Sequence, residues 1–252
     1  MERIPGLRCG SWMEFKRDLY PTLFGHDAFE EGRYLFRGVG SEDWRLVSSF
    51  DRYASDVAAE DRKQEAEKLL DLFADECMAS EVAAVVRRED DLHGLVALAQ
   101  HYGLPTRGLD WTESPYVAGY FAFADAWSFG QAVRDGHVAI WALDQSHPSW
   151  KHHTDAVEIV ITGRAGNERM IRQRAVLTYL HAATTALDDY VCDCPDIADT
   201  LTKFTLPKAE APVAMADLAA MGITSTRLFP DREGAARAAR LRYAIKRSRR
   251  SS

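Results

Sequence analysis

The stretch His101–Ala124, HYGLPTRGLDWTESPYVAGYFAFA, constrains what this chain can fold into more than any other part of it. Pro105 and Gly108 punctuate the backbone, Asp110, Thr112 and Glu113 gather polar side chains, and Ser114-Pro115 reads as an N-cap followed by the first helical position. An apolar helix is expected from Tyr116 to Ala126. A strand that ends in a helix N-terminus leaves backbone N–H groups free, and these can hold an anion such as a phosphate.

A second cluster supplies a partner for the first. Tyr34-Leu35-Phe36-Arg37-Gly38-Val39-Gly40 is an apolar, strand-like run interrupted by an arginine and followed by two glycines. An arginine in an apolar strand needs an anionic partner, because desolvating it alone is costly. Two readings are open: Arg37 holds a ligand anion, with Gly38 and Gly40 letting it approach the backbone, or it forms a structural pair with Asp110.

These clusters resemble the FRG-domain family, named for the tripeptide present as Phe36-Arg37-Gly38. The second family signature stands as His101–Arg107, then Leu109–Thr112 and the Ala/Phe-rich Val117–Ala124. A third block is Gly222-Ile223, Leu228-Phe229-Pro230-Asp231 and Gly234. Gly108 stands where the family more often has leucine. The family's Gln-x-Gly-x-Phe stretch reads Gln173-Arg174-Ala175-Val176-Leu177, which weakens any role carried over to Gln173.

More distantly, the order of parts is similar to the ADP-ribosyltransferase fold. That fold sets an arginine ending one strand, a hydroxyl-bearing strand before an Ala/Phe-rich helix, and a glutamate on a later strand. The resemblance implies an enzyme that consumes NAD as substrate and needs no metal. Arg37 would anchor the pyrophosphate with Phe36, Gly38, Thr106 and the N–H groups at Ser114. Trp111 or Tyr102 would stack on nicotinamide, with core packing the alternative for Trp111. His101 would orient a ribose hydroxyl or act as general base, or it simply caps the preceding helix. The third match falls on Gln173, which lacks the charge a glutamate brings to an oxocarbenium-like transition state; Glu113 and Glu168 are the substitutes. Arg37, His101, Asp110, Thr112, Glu113 and Gln173 are thus the candidate catalytic set. The acceptor of ADP-ribose would be a protein or a nucleic acid, and the biological role a toxin or anti-phage effector with an antitoxin or other regulatory partner. The competing reading is a noncatalytic nucleotide or nucleic-acid sensor built on Arg37 and His101.

Composition fits one medium-sized domain: 46% of the residues are hydrophobic, enough to bury a substantial core. No run approaches the roughly 18 consecutive apolar residues of a membrane span, and MERIPGLRCGSWMEF lacks a signal-peptide pattern, so a cytoplasmic protein with no membrane partner is expected. Cys9 and Cys77 stand alone. Cys192-Asp193-Cys194 with His181 offers a zinc site only if further ligands converge, and adjacent His152 and His153 read as loop surface. The net charge of −7 argues against broad adhesion to nucleic acid, yet Ala236–Ser252, ARAARLRYAIKRSRRSS, is basic. It is either a solvated face and tail or a docking segment for nucleic acid or an acidic partner. Phosphate-loop, dinucleotide-fingerprint, zincin and nucleophile-elbow motifs are absent from the sequence.

Periodicity predicts helices over Ser11–Leu19 (closed by Pro21), Ser55–Cys77, Glu81–Arg88, Asp91–Tyr102, Pro212–Met221 and Gly234–Ile245. Strands are expected at Tyr34–Val39, Trp44–Phe50, His137–Leu143, Ala156–Ile161 and Arg174–Tyr179, with Lys203–Leu206 as an edge strand. The whole reads as one α+β domain with a central mixed or antiparallel sheet, split as in ADP-ribosyltransferases. Residues 1–30 form a helical lead-in and 31–236 the FRG domain, with a helical insertion at about 55–90. Residues 237–252 form a basic helix end and tail.

Overall fold

A computed structural model describes residues 4–25, 27, 28, 30–80, 88, 91–127, 135–160 and 172–248. In chain order the elements are β1 (Gly6–Arg8), α1 (Trp12–Phe24), β2 (Tyr34–Val39), α2 (Ser49–Tyr53), α3 (Arg62–Ala79), α4 (Leu92–His101), β3 (Gly108–Thr112) and α5 (Pro115–Trp127). There follow β4 (His137–Asp144), β5 (Val157–Val160), β6 (Ala175–Leu180), α6 (Leu187–Asp193), β7 (Leu201–Pro207), α7 (Ala211–Ala220), α8 (Ser225–Leu228) and α9 (Arg232–Ser248).

The strands form one sheet in the order β1-β7-β4-β2-β3-β6-β5. Every neighbouring pair is antiparallel except β1 with β7. The fold is therefore α+β with a mixed sheet. β4 is buried on both faces, which is why HVAIWALD reads as a continuous apolar run instead of an alternating one. On one face Phe36, Val138, Ile140, Phe204 and Leu206 pack against Trp12, Phe15 and Leu19 of α1, Ala118 and Phe123 of α5, and Leu218 of α7. On the other, Leu35, Val39, Leu109, Trp111, Trp141 and Leu143 meet Leu46, Trp150, Leu187 and Val191. Each Val, Leu, Ile or Phe among them contributes about 1.5–3 kcal/mol by leaving water.

Helices α3 and α4 cover the far end of the sheet through Leu70, Ala74, Leu95, Val96, Leu177 and Tyr179. Phe36 pairs with Thr112, and Asp110 with Leu177. Directly opposed residues share a face, so α4 and α5 lie on the same face of the sheet with Asp110 in the interval between them.

Several local expectations are corrected. Pro21 does not close α1; the helix runs on to Phe24 and ends at Gly25, whose φ of 58° suits glycine. Trp44–Phe50 is not a strand, because Ser48 caps the short helix α2 through the Asp51 N–H and only Val47 makes a bridge, to Ala186. The insertion helix starts at Arg62 and not at Ser55. β7 is internal, since β1, too short to show a period in sequence, covers its outer side. The expected helix at Glu81–Arg88, apart from Arg88, and the candidate Glu168 lie outside the described residues, as do Ile161 and the tail beyond Ser248. No helix among the described residues is long and apolar enough to cross a membrane. No group of three or more His, Cys, Asp or Glu among them is placed to hold a metal.

Candidate functional site

β2 and β3 are neighbours that barely pair. Phe36↔Thr112 is the one pair in register between them among the described residues, whereas β2 pairs with β4 along its whole length and β3 does so with β6. Beyond Phe36 the two strands part. The Arg37 Nη1 spans the gap and donates to the Asp110 carbonyl at 2.5 Å, a side chain standing where ladder N–H groups would otherwise be.

The glycines beside Arg37 have a different task from the one expected of them. A Cβ on Gly38 would stand 1.8 Å from the Ala118 carbonyl oxygen, and one on Gly40 3.0 Å from the Ala126 nitrogen. They admit α5 to the strand, not a ligand. With α5 drawn onto β2, Asp125 sits at its far end over Gly40.

Arg37 is half-buried. Burial pushes its guanidinium pKa down; Asp110 works against this, Arg52 adds to it, and Asp125 opposes it more weakly. Burial likewise pushes the Asp125 carboxyl up, while Arg37, Arg237 and Arg52 pull it down. Asp110 and Asp125 both expose their side chains. Arg37 and Arg52, the carboxylates of Asp110 and Asp125 and, from α9, Arg237 thus form one electrostatic neighbourhood around the parting of β2 and β3.

Arg52 reaches this place because α2 is pinned to the signature loop. The Phe50 N–H and Ser49 hydroxyl donate to the Thr106 carbonyl at 3.0 and 3.1 Å, and the Thr106 N–H donates back to Ser49 Oγ at 3.0 Å. Arg107 is wholly buried. It donates to Asp51 Oδ2 at 3.4 Å and to the carbonyls of Ala182 and Thr184 at 3.2 and 2.6 Å. Asp51 is also wholly buried and accepts from Ser48 at 2.5 Å, with Arg62 3.6 Å away. The Thr-Arg of the signature is therefore a structural staple.

At the other end of β3, Thr112 donates to the Gln173 carbonyl at 2.6 Å and accepts from the Ser114 N–H at 3.1 Å. The Ser114 hydroxyl accepts from the Val117 N–H at 3.3 Å, the expected N-cap. Gln173 commits its amide to the Leu228 carbonyl at 3.1 Å. Glu113 accepts from Arg174 at 3.1 Å, and Arg174 also donates to Glu31 at 2.6 Å. Arg174 has a φ of 47°, a left-handed conformation that few side chains adopt.

The structure thus brings Arg37, Asp110 and Thr112 together along the β2–β3 border, with Glu113, Ser114 and Gln173 grouped just beyond the end of β3 on its β6 side. It gives other expected residues packing roles. Trp111 is buried with its N–H on Thr178 Oγ1 at 2.9 Å, leaving no face for stacking; Phe36 is core against α5, and Thr106 is buried within its backbone bonds. His101 and Tyr102 are exposed at the end of α4, edge-to-face on each other, and neither side chain makes a hydrogen bond or ion pair among the described residues. Arg52, Arg107 and Asp125 do not stand out in the sequence as site residues. Asp125, a carboxylate inside the Ala/Phe-rich helix, carries the clearest signal of the three.

Comparison with known families falls on this same region. Residues 32–130 match the family model of the FRG domain. The match runs from the approach to β2 through α5, so Arg37, Arg52, Asp110 and Asp125 all lie within the matched segment, whereas β4–β7 and α9 lie outside it. No curated protein and no solved structure gives a match to the chain.

Proposed function

We propose that the parting between β2 and β3 is a nucleotide cleft in which NAD is bound and cleaved, and from which ADP-ribose passes to a macromolecular acceptor. One observation carries the reading: Arg37 bridges the split between β2 and β3 through its bond to the Asp110 carbonyl, near enough to Asp110, Arg52 and Asp125 for each to act on its charge. Two guanidiniums suit a pyrophosphate, since the planar fork matches phosphate oxygens. A carboxylate beside them suits a ribosyl cation, and Asp110 takes that role.

The step balances without a redox partner. The bond from ribose C1′ to the pyridinium nitrogen breaks, its electron pair stays on nitrogen, and neutral nicotinamide leaves. A lone pair of the acceptor forms the new bond at C1′, and the acceptor's proton passes to a carboxylate or to water. The test is release of nicotinamide from NAD, followed by chromatography, for the wild-type chain and for Arg37→Ala and Asp110→Ala. Release by the wild type that disappears in both variants supports catalysis.

A second reading has its own observation. The position expected to carry a glutamate on a later strand is Gln173, already bound to Leu228, and Glu113 is held by Arg174. On that reading the cleft binds a nucleotide without cleaving it, and NAD binds to the wild type with no nicotinamide released.

A further inference from the structure

The C-terminal helix α9 connects the cleft with a surface of opposite character to the rest of the chain. Its first turns rest at the cleft: Arg237 lies 4.3 Å from the centroid of the Phe229 ring, is tied to Glu233 at 2.7 Å, and acts electrostatically on Asp125 and Tyr120. Leu241 packs half-buried against the core on the same side. The other side carries Arg232, Arg240 and Arg242, all exposed, with Tyr243 67% exposed among them. Glu233 is the last carboxylate in the sequence: from Gly234 onward there are seven Arg or Lys and no Asp or Glu, in a chain of net charge −7.

We infer that the exposed face of α9 is a docking surface for single-stranded nucleic acid, which it delivers to the cleft as the acceptor of ADP-ribose. This rests on the NAD-cleaving reading of the cleft and specifies its acceptor. Three features select this class of partner. Cations without intervening carboxylates complement a phosphate backbone, and an exposed tyrosine among them is a platform for an unpaired base. Leu241 of α9 already packs against the core, so among the described side chains of the helix a lipid surface would find Tyr243 as the large exposed apolar group to bury. Tyr243 lies about 9 Å along the helix from Arg237 at a rise of 1.5 Å per residue, so a strand bound there reaches the cleft edge within a few nucleotides. An unpaired base offers its nitrogen or oxygen lone pair to C1′; nicotinamide leaves with the old bonding pair, and the base loses its proton to water or a carboxylate.

The experiment is fluorescence anisotropy of the full chain with labelled single-stranded DNA and, separately, RNA of mixed sequence, titrated with salt. The variants are Arg240→Glu/Arg242→Glu and Tyr243→Ala, with circular dichroism to confirm folding. Wild-type binding to at least one of the two is expected. Roughly tenfold or greater weakening is expected in the double variant, with a salt dependence shallower by about 0.7 in log–log slope for each phosphate no longer neutralised. Tyr243→Ala weakens binding while leaving that slope unchanged. Nicotinamide release should be untouched in both variants, while ADP-ribose incorporation into the oligonucleotide falls. Absence of binding to either nucleic acid at low salt overturns the inference, as does wild-type affinity in the double variant or binding to anionic vesicles alone. Because binding is read without NAD, a failure here is distinct from a failure of NAD cleavage, in which oligonucleotides bind and no nicotinamide appears.

Discussion

Gly38 and Arg107 show how two residues of the family-like segments hold the surroundings of the candidate site in place. A methyl on Gly38 would overlap the Ala118 carbonyl, and neither strand nor helix backbone can yield the distance. Gly38→Ala is expected to cost on the order of 3 kcal/mol or more, measured by urea unfolding, through overpacking at a fixed backbone. Arg107→Met removes the cation facing wholly buried Asp51 and frees the Ala182 and Thr184 carbonyls. A loss of about 3–5 kcal/mol by the same measurement follows from breaking a buried pair on one side. Arg37 was legible in sequence because an arginine in an apolar strand is chemically conspicuous. The true task of Gly38 was not, since a glycine that admits a helix and one that admits a ligand look alike in one dimension. Trp111 was ambiguous for a similar reason, as its indole suits either a core or a stacking face and only burial decides.

Between elements, α4 is joined to the sheet by a shared carboxylate. Glu158 Oε2 on β5 stands 3.0 Å from His93 Nε2 on α4 and 3.3 Å from His181 Nε2 just past β6. Burial pushes the Glu158 carboxyl up, but hydrogen bonding to His93 and His181 outweighs it and holds the group below its usual range. A carboxyl depressed in the folded state adds stability above its unfolded pKa, and that stability is lost as pH falls through the folded value. Glu158→Gln should therefore be less stable than wild type near neutrality in chemical denaturation, the difference shrinking as pH drops below about 4.3, the ordinary glutamate value. A difference independent of pH would contradict the ionic role. Element types were readable where an apolar run was long and bounded by capping or turn residues, as in α5 and β4. They were misread at Trp44–Phe50, where apolar residues resembling a strand are instead the capped start of α2 and loop residues reaching the core, a choice made by the Ser48–Asp51 hydrogen bonds. β1 was missed because three residues carry no period.

At the scale of the molecule, one mixed sheet is clothed by α1, α5 and α7 on one face and by α6 with the Leu46 and Trp150 segments on the other. The candidate site lies where β2 and β3 part, on a sheet whose covering helices α4 and α5 share a face. The α+β class was legible from a helix-rich first half followed by a run of short strand patterns. Strand order was not, because long-range pairing is chosen by packing that no local pattern encodes. Nor could the sequence show that the Phe36-Arg37-Gly38 tripeptide and the His101–Ala124 segment meet, through the Phe36–Thr112 register pair, the Arg37–Asp110 bond and the approach of Gly38 to Ala118. The central claim is that this parting, bridged by Arg37, is where NAD binds, and calorimetric titration of NAD into the wild-type chain and Arg37→Ala tests it most directly. The account predicts saturable binding to the wild type and a loss of about tenfold to a hundredfold in the variant, the worth of a charge-assisted hydrogen bond of about 1.5–3 kcal/mol. Equal binding by the two chains, or no binding by the folded wild type, would contradict it.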